Sequence, residues 1–149
     1  MTEDAFYFLD NNVVSHLSRQ QLASAFFRER CHIPSEVLHE ARGHRAIDLL
    51  QAVEYRTSAR VLVALTEVLS TVSPTDTSLI DLYAGKGNAD PILIACALLE
   101  TRKAELLLVR PRWFVVSNDK PVHTKAADFG VATLSRDEFF SAVDGEWGA

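Results

Sequence analysis

The sequence predicts a single α/β domain of three layers, with helices on both faces of a central, mostly parallel β-sheet. Two observations carry this reading. Short apolar runs that end in a polar turn recur along the chain, and the stretches between them have helical periodicity. Strands separated by helices pair in parallel and are covered on both faces. A chain of 149 residues fits one compact domain, residues 1–149, and no repeat or low-complexity tract divides it.

Taken in order, Ala5 to Leu9 (AFYFL) is apolar and aromatic and ends at Asp10, the pattern of a strand buried on both faces. Gln20 to Arg30 sets Leu22, Ala25, Phe26 and Phe27 at helical spacing, and a weaker strand is expected near Cys31 to Ile33. Ser35 is suited to cap a helix that stops at Gly43, and helical period continues from Ala46 to Tyr55. Ala59 to Val72 is rich in Val and Thr, but its length favours a helix, with Ser58 as its cap. Ser70 to Ser78 has the Ser, Thr, Pro and Asp content of a surface loop. Asp90-Pro91 opens a helix running to about Glu105, because Pro fits the first helical position and Asp can bond the free amides behind it. Trp113 to Val116 (WFVV) repeats the buried-strand pattern and ends in Ser117-Asn118-Asp119. Val131 to Leu134 follows a turn at Gly130 as a further strand.

With 15 basic and 20 acidic side chains the net charge is −5, so the chain is not a basic nucleic-acid-binding module of the usual kind. Cys31 and Cys96 lack the spacing of a zinc or redox site and read as reduced core thiols. Met1 to Asp4 is acidic where a signal peptide is basic, and the longest apolar run, Ile92 to Leu99, is far short of the ~20 residues that span a bilayer. A cytoplasmic protein without a membrane partner is expected.

In a parallel sheet the ligand crevice lies beyond the carboxyl ends of the strands, and Asp10 and Asp119 sit at two such ends. Each has an ordinary alternative role, since an Asp after a strand commonly caps the next helix. Asp90, directly before Pro91, fits that role best. Glu40 is more telling. On a helix from Ser35 it falls about 60° from Val37, at the border of the stripe formed by Val37, Leu38 and Ala41, where an acid can reach inward. Glu36, further from the stripe, suits the positive end of the helix. Converging carboxylates resist ionisation unless divalent cations occupy the site, and hard oxygen ligands select Mg²⁺ or Mn²⁺. Such ions acidify bound water and stabilise the oxyanions of a phosphodiester displacement.

Four segments in order carry a resemblance: Phe6-Tyr7-Phe8-Leu9-Asp10-Asn11-Asn12-Val13-Val14, Ile33-Pro34-Ser35-Glu36-Val37-Leu38-His39-Glu40, Ala89-Asp90-Pro91-Ile92-Leu93-Ile94-Ala95, and Val115-Val116-Ser117-Asn118-Asp119. Together they span nearly the whole chain and resemble the PIN-domain nucleases, most closely the small VapC-type toxins of toxin–antitoxin pairs. The resemblance implies a PIN-like fold and a metal-dependent endoribonuclease in which Asp10, Glu40, Asp90 and Asp119 hold Mg²⁺ or Mn²⁺. Asn12 and Ser117 would support the site through hydrogen bonds. It also implies an RNA substrate, a cognate antitoxin and a homodimer. Asn11 stands where Thr or Ser is commoner, and Lys120-Pro121-Val122-His123 replaces the usual acidic and aromatic residues after the last acid.

Other chemistries fit less well. In His39-Glu40-Ala41-Arg42-Gly43-His44 the histidines are five apart, about 140° on a helix, unlike a zinc-binding HExxH pair. His16, His32 and His123 have no ligand spacing and read as surface or capping residues. Neither Ser15 nor Ser117 lies in GxSxG, and Gly85-Lys86-Gly87 is too short for a phosphate loop. Arg42, Arg45, Lys86 and Lys120 flank the acids in sequence and would line a path for RNA phosphate or serve as solvated surface. A Mg²⁺-dependent phosphatase of the haloacid-dehalogenase type shares the first Asp but needs a second two residues on, where Asn12 stands. A catalytically silent PIN scaffold that only binds a partner is a further alternative.

Overall fold

A five-stranded sheet in the order β3-β2-β1-β4-β5 forms the middle of the computed structural model, which describes residues 4–72 and 90–148. The strands are β1 (Ala5–Leu9), β2 (Cys31–Pro34), β3 (Glu54–Tyr55), β4 (Arg112–Val116) and β5 (Ala132–Leu134). Every described pairing is parallel, with Ala5 to Leu9 registered on Arg112 to Val116 along their full length. The helices are α1 (Asn11–Val14), α2 (Arg19–Leu22), α3 (Ala25–Arg30), α4 (Ser35–Glu40), α5 (Ile47–Gln51), α6 (Ala59–Leu69), α7 (Asp90–Ala104), α8 (Lys120–Asp128) and α9 (Arg136–Ala142).

Alternation along β1 builds the three layers, because successive side chains of a strand point to opposite faces. Tyr7 meets Phe26 of α3, Phe114 of β4 and Phe139 of α9 on one face, with Trp147 closing over Phe26 and Phe139. Phe6 and Phe8 meet Trp113 and His32 on the other, where Tyr55 packs edge-on against Phe8 and its hydroxyl donates to Glu100 of α7 at 2.6 Å. Phe8, Phe27 and Phe139 are wholly buried, and each contributes roughly 1.5–3 kcal/mol by leaving water. Helix α7 runs against the strands. Ala104 and Glu105 line a cleft with Trp113 and Ala132 near the starts of β4 and β5, so its first turn lies at the opposite, carboxyl edge of the sheet.

The α/β class and the layered arrangement agree with the expectation from sequence, as do β1, the cap at Ser58, whose hydroxyl accepts from the Val61 amide, and the helix opened by Asp90. Gly130 takes φ +71°, ends α8 and turns the chain into β5.

Several local expectations change. Gln20 to Arg30 is not one helix: Ser24 accepts from the Phe27 amide and starts α3 afresh after α2, which has its own capping box from Ser18 and Gln21. Ser35 does not cap α4 but turns outward, its hydroxyl donating to Glu54 at 2.9 Å, and α4 ends at Glu40, short of Gly43. Ala46 to Tyr55 yields only the short α5, because Glu54 and Tyr55 add as a strand beside Ile33 and Pro34. Most of the expected Ser70 to Ser78 loop, and Gly85-Lys86-Gly87 with it, lies outside the described residues. Cys31 and Cys96 are buried and unpaired, as expected of core thiols.

Candidate functional site

The strand order fixes where a site can form. From β1 the chain moves outward to β2 and β3, and it returns across the sheet to place β4 on the other side of β1. The topological switch point therefore lies between β1 and β4, and the crevice beyond their carboxyl ends is where open parallel sheets bind ligands. Asp10 follows β1 directly, and its amide donates to the Val116 carbonyl at 3.3 Å, which sets Asp10 beside Ser117 at the end of β4.

Asp10 is half-buried at the start of α1. One carboxylate oxygen accepts from the Val13 amide at 3.1 Å, so the ordinary capping role is realised. Desolvation nevertheless raises its pKa above the usual carboxylate value. The Ser117 hydroxyl and the Val13 and Asn12 amides oppose that rise, and the charge of Asp119 adds to it.

Asp119 occupies the N-cap position of α8, yet its side chain makes no cap bond. The capping role that would explain it locally goes unused. Ser117, the buried polar residue of this edge, organises the pair: its hydroxyl accepts from the Asp119 amide at 3.1 Å, its own amide donates to Leu134 at 3.0 Å, and its carbonyl accepts from the His123 ring.

Glu40 arrives from the far side of β1. It closes α4, which follows β2, and its carboxylate accepts from the Asn11 side-chain amide at 3.1 Å, next in sequence to Asp10. Its exposed position beside buried Val37 and Leu38 matches the border of the apolar stripe. Asp90 stands in the first turn of α7, at the same edge of the sheet, and its side chain lies outside the described residues.

Among the described residues no three His, Cys, Asp or Glu side chains are grouped closely enough to hold one metal ion. Asp10, Glu40 and Asp119 stand around one edge without closing a cage. None of the three enters an ion pair with a described cation. The donor set is carboxylate oxygen throughout, and a divalent cation would relieve both the burial of Asp10 and its repulsion by Asp119.

The supporting residues behave differently from one another. Ser117 serves both aspartates, whereas the Asn12 side chain turns away and accepts from Arg136 at 3.1 Å. Arg136 was not among the expected site residues. Its amide donates to the Asn118 side chain at 2.8 Å and its guanidinium reaches Asn12 and His16, which ties the turn after β4 to the turn after β1. The local signal is the Ser135 to Glu138 capping box, which marks the start of α9 one residue earlier. Which turns that helix start would meet is set by tertiary folding.

Arg42 and Arg45 are exposed in the turn after α4, where Arg42 contacts His39 at 2.7 Å, and Lys120 is exposed at the start of α8. Lys86 lies outside the described residues. The histidines form no ligand set: His44 accepts from the Ala46 amide, and His16 and His123 each meet main-chain carbonyls, of Asn12 and Ser117. His32 is neither surface nor cap, because it packs among Phe6, Phe8, Tyr55 and Trp113, where burial lowers its pKa. No helix among the described residues is long and apolar enough to cross a membrane. No family model matches the chain, and no curated protein matches it in sequence.

Proposed function

We propose that the chain is a metal-dependent endoribonuclease, of the kind the VapC-type PIN-domain toxins represent, with its site at the carboxyl edge between β1 and β4. The observation that carries this reading is Asp119: it holds the N-cap position of α8 without using it, beside a half-buried Asp10 whose proton affinity its charge increases. Asp10 and Asp119, with Glu40 and Asp90 at the same edge, would hold Mg²⁺ or Mn²⁺. The ion, when bound, supplies stabilisation of the charge that develops on a phosphodiester during hydrolysis.

The remaining work belongs to the chain's own residues. The Ser117 hydroxyl holds the Asp119 main chain and favours the ionised Asp10 carboxyl, and the Asn11 side-chain amide restrains Glu40. Arg136 fixes the two turns relative to each other, and Arg42, Arg45 and Lys120 supply exposed positive charge for the RNA backbone. An antitoxin partner and a homodimer belong to the same proposal and rest on the resemblance.

The direct test is cleavage of single-stranded RNA by purified protein with Mg²⁺ or Mn²⁺, stopped by chelator and lost in Asp10→Asn and Asp119→Asn variants that keep the wild-type circular dichroism. Unchanged cutting by both variants would overturn the proposal. Turnover of a small phosphomonoester in place of RNA would favour the phosphatase reading, and partner binding without metal-dependent cleavage the scaffold reading.

A further inference from the structure

The longest unbroken run of exposed apolar side chains among the described residues is four in a row. Leu106, Leu107, Leu108 and Val109 form the tip between α7 and β4, with Leu108 fully exposed and Leu106 88% exposed. Consecutive residues of a turn point in different directions, so a rigid flat partner could cover only some of them. A fluid apolar phase solvates all four at once.

The flanks carry charge of one dominant sign. Arg102, Lys103, Arg110 and Arg112 flank the tip in sequence, with Glu105 the one acid between them, in a chain whose net charge is −5. Arg102 pairs with Glu67 and Lys103 with Glu100, but neither Arg110 nor Arg112 enters an ion pair with a described residue. The Arg110 side chain bonds the Leu107 carbonyl at 3.4 Å, and Arg112 lies over the Phe114 ring, which holds both at the base of the tip. An apolar point with two arginines at its base, unpaired among the described residues, matches a bilayer surface with anionic headgroups, where the apolar residues enter the acyl boundary and the cations stay at the phosphates.

We infer that the Leu106–Val109 tip docks the protein on an anionic lipid surface. This departs from the sequence expectation of no membrane partner, which concerned spanning segments: a four-residue tip lies in a surface and does not cross it. The tip belongs to the amino edge of the sheet, opposite the Asp10 edge, so a docked molecule presents its candidate site to solvent. The inference does not depend on the proposed nuclease activity.

The test is co-sedimentation of the full chain with vesicles of phosphatidylcholine alone or mixed with phosphatidylglycerol. The protein pellets with the mixed vesicles, not with the neutral ones, and high salt releases it. Neutralising Arg110 or Arg112 as Gln lowers the partition by about fivefold each. Leu106→Ser with Leu108→Ser lowers it by at least about tenfold and leaves thermal unfolding unchanged, because both side chains are already in water in the free protein. Failure to pellet with the mixed vesicles overturns the inference, as does pelleting that survives the double Leu change. A dimer seen by analytical ultracentrifugation and dissolved by Leu108→Ser, without vesicle binding, also overturns it and assigns the tip to a second copy of the chain.

Discussion

Removing one hydroxyl, in Ser117→Ala, tests how the edge between β1 and β4 is held. The hydroxyl accepts from the Asp119 amide and stabilises the ionised Asp10 carboxyl, while the Ser117 amide and carbonyl bonds do not depend on it. A buried donor that loses its partner costs about 1–3 kcal/mol. Asp119 is exposed, so water reaches that amide in part, which puts the loss near the lower end, and the weakened support of Asp10 adds to it. A destabilisation of about 1–2 kcal/mol follows. With a urea slope of about 2 kcal/mol/M, the unfolding midpoint falls by on the order of 0.5–1 M.

The pH dependence has a definite sign. Asp10 in the folded state binds its proton more tightly than the ordinary value of 3.8. Its contribution to stability is therefore present below that value and is lost as pH rises through the folded-state pKa. Ser117→Ala pushes that pKa further up and extends the loss to higher pH. Urea melts across the acid range and a carboxyl NMR titration of Asp10 check both effects. An unchanged midpoint together with an unchanged Asp10 titration would refute the bridging role of Ser117.

Other expectations are as concrete. Asp10→Asn keeps an N-cap acceptor for Val13 and removes the buried charge, so without metal its thermal midpoint rises above wild type at neutral pH, while RNA cleavage falls by on the order of 100-fold or more. Mn²⁺ at 100 times its dissociation constant adds about 2.7 kcal/mol, roughly 5–10 °C in a chain of this size, and the shift shrinks in Asp119→Asn. Phe139→Ala empties a wholly buried site among Tyr7, Phe140 and Trp147 and costs about 3–5 kcal/mol in a denaturant melt. Tyr55→Phe removes the 2.6 Å bond to Glu100 and costs about 1.5–3 kcal/mol, as a hydrogen bond to a charged group does.

What could be read from the sequence was local. β1 and β4 are runs of Phe, Tyr, Trp and Val that end in a turn, and Ser58 and Asp90-Pro91 start helices by chemistry contained within a few residues. The break at Ser24 was missed because Leu22 and Phe26 keep helical spacing across it, and a serine cap outweighs that spacing only once Phe27 is buried. β3 was missed because a two-residue strand has no period of its own and exists only as an addition to β2. Both α8 and α9 carry start signals in the sequence, Pro121 in the first turn and the Ser135 capping box. The acids at the strand ends were legible as candidates. That Asp10 and Asp119 follow neighbouring strands was not, because it depends on β4 lying beside β1, which no spacing along the chain encodes.

The central pairing of the sheet also imposes an order of assembly. β1 and the strand that flanks it on the Asp119 side lie more than a hundred residues apart in the chain, with β1 made first. Closing a loop of that length carries an entropic cost that only the finished β1–β4 ladder and the packing of α7 across it repay, which places this step late and slow in folding. During synthesis, β2 is available to β1 long before β4 is. A chain stalled after β3 but before Arg112 has Asp10 and Glu40 with the strands β1 to β3, and neither Ser117 nor Asp119 to complete the edge.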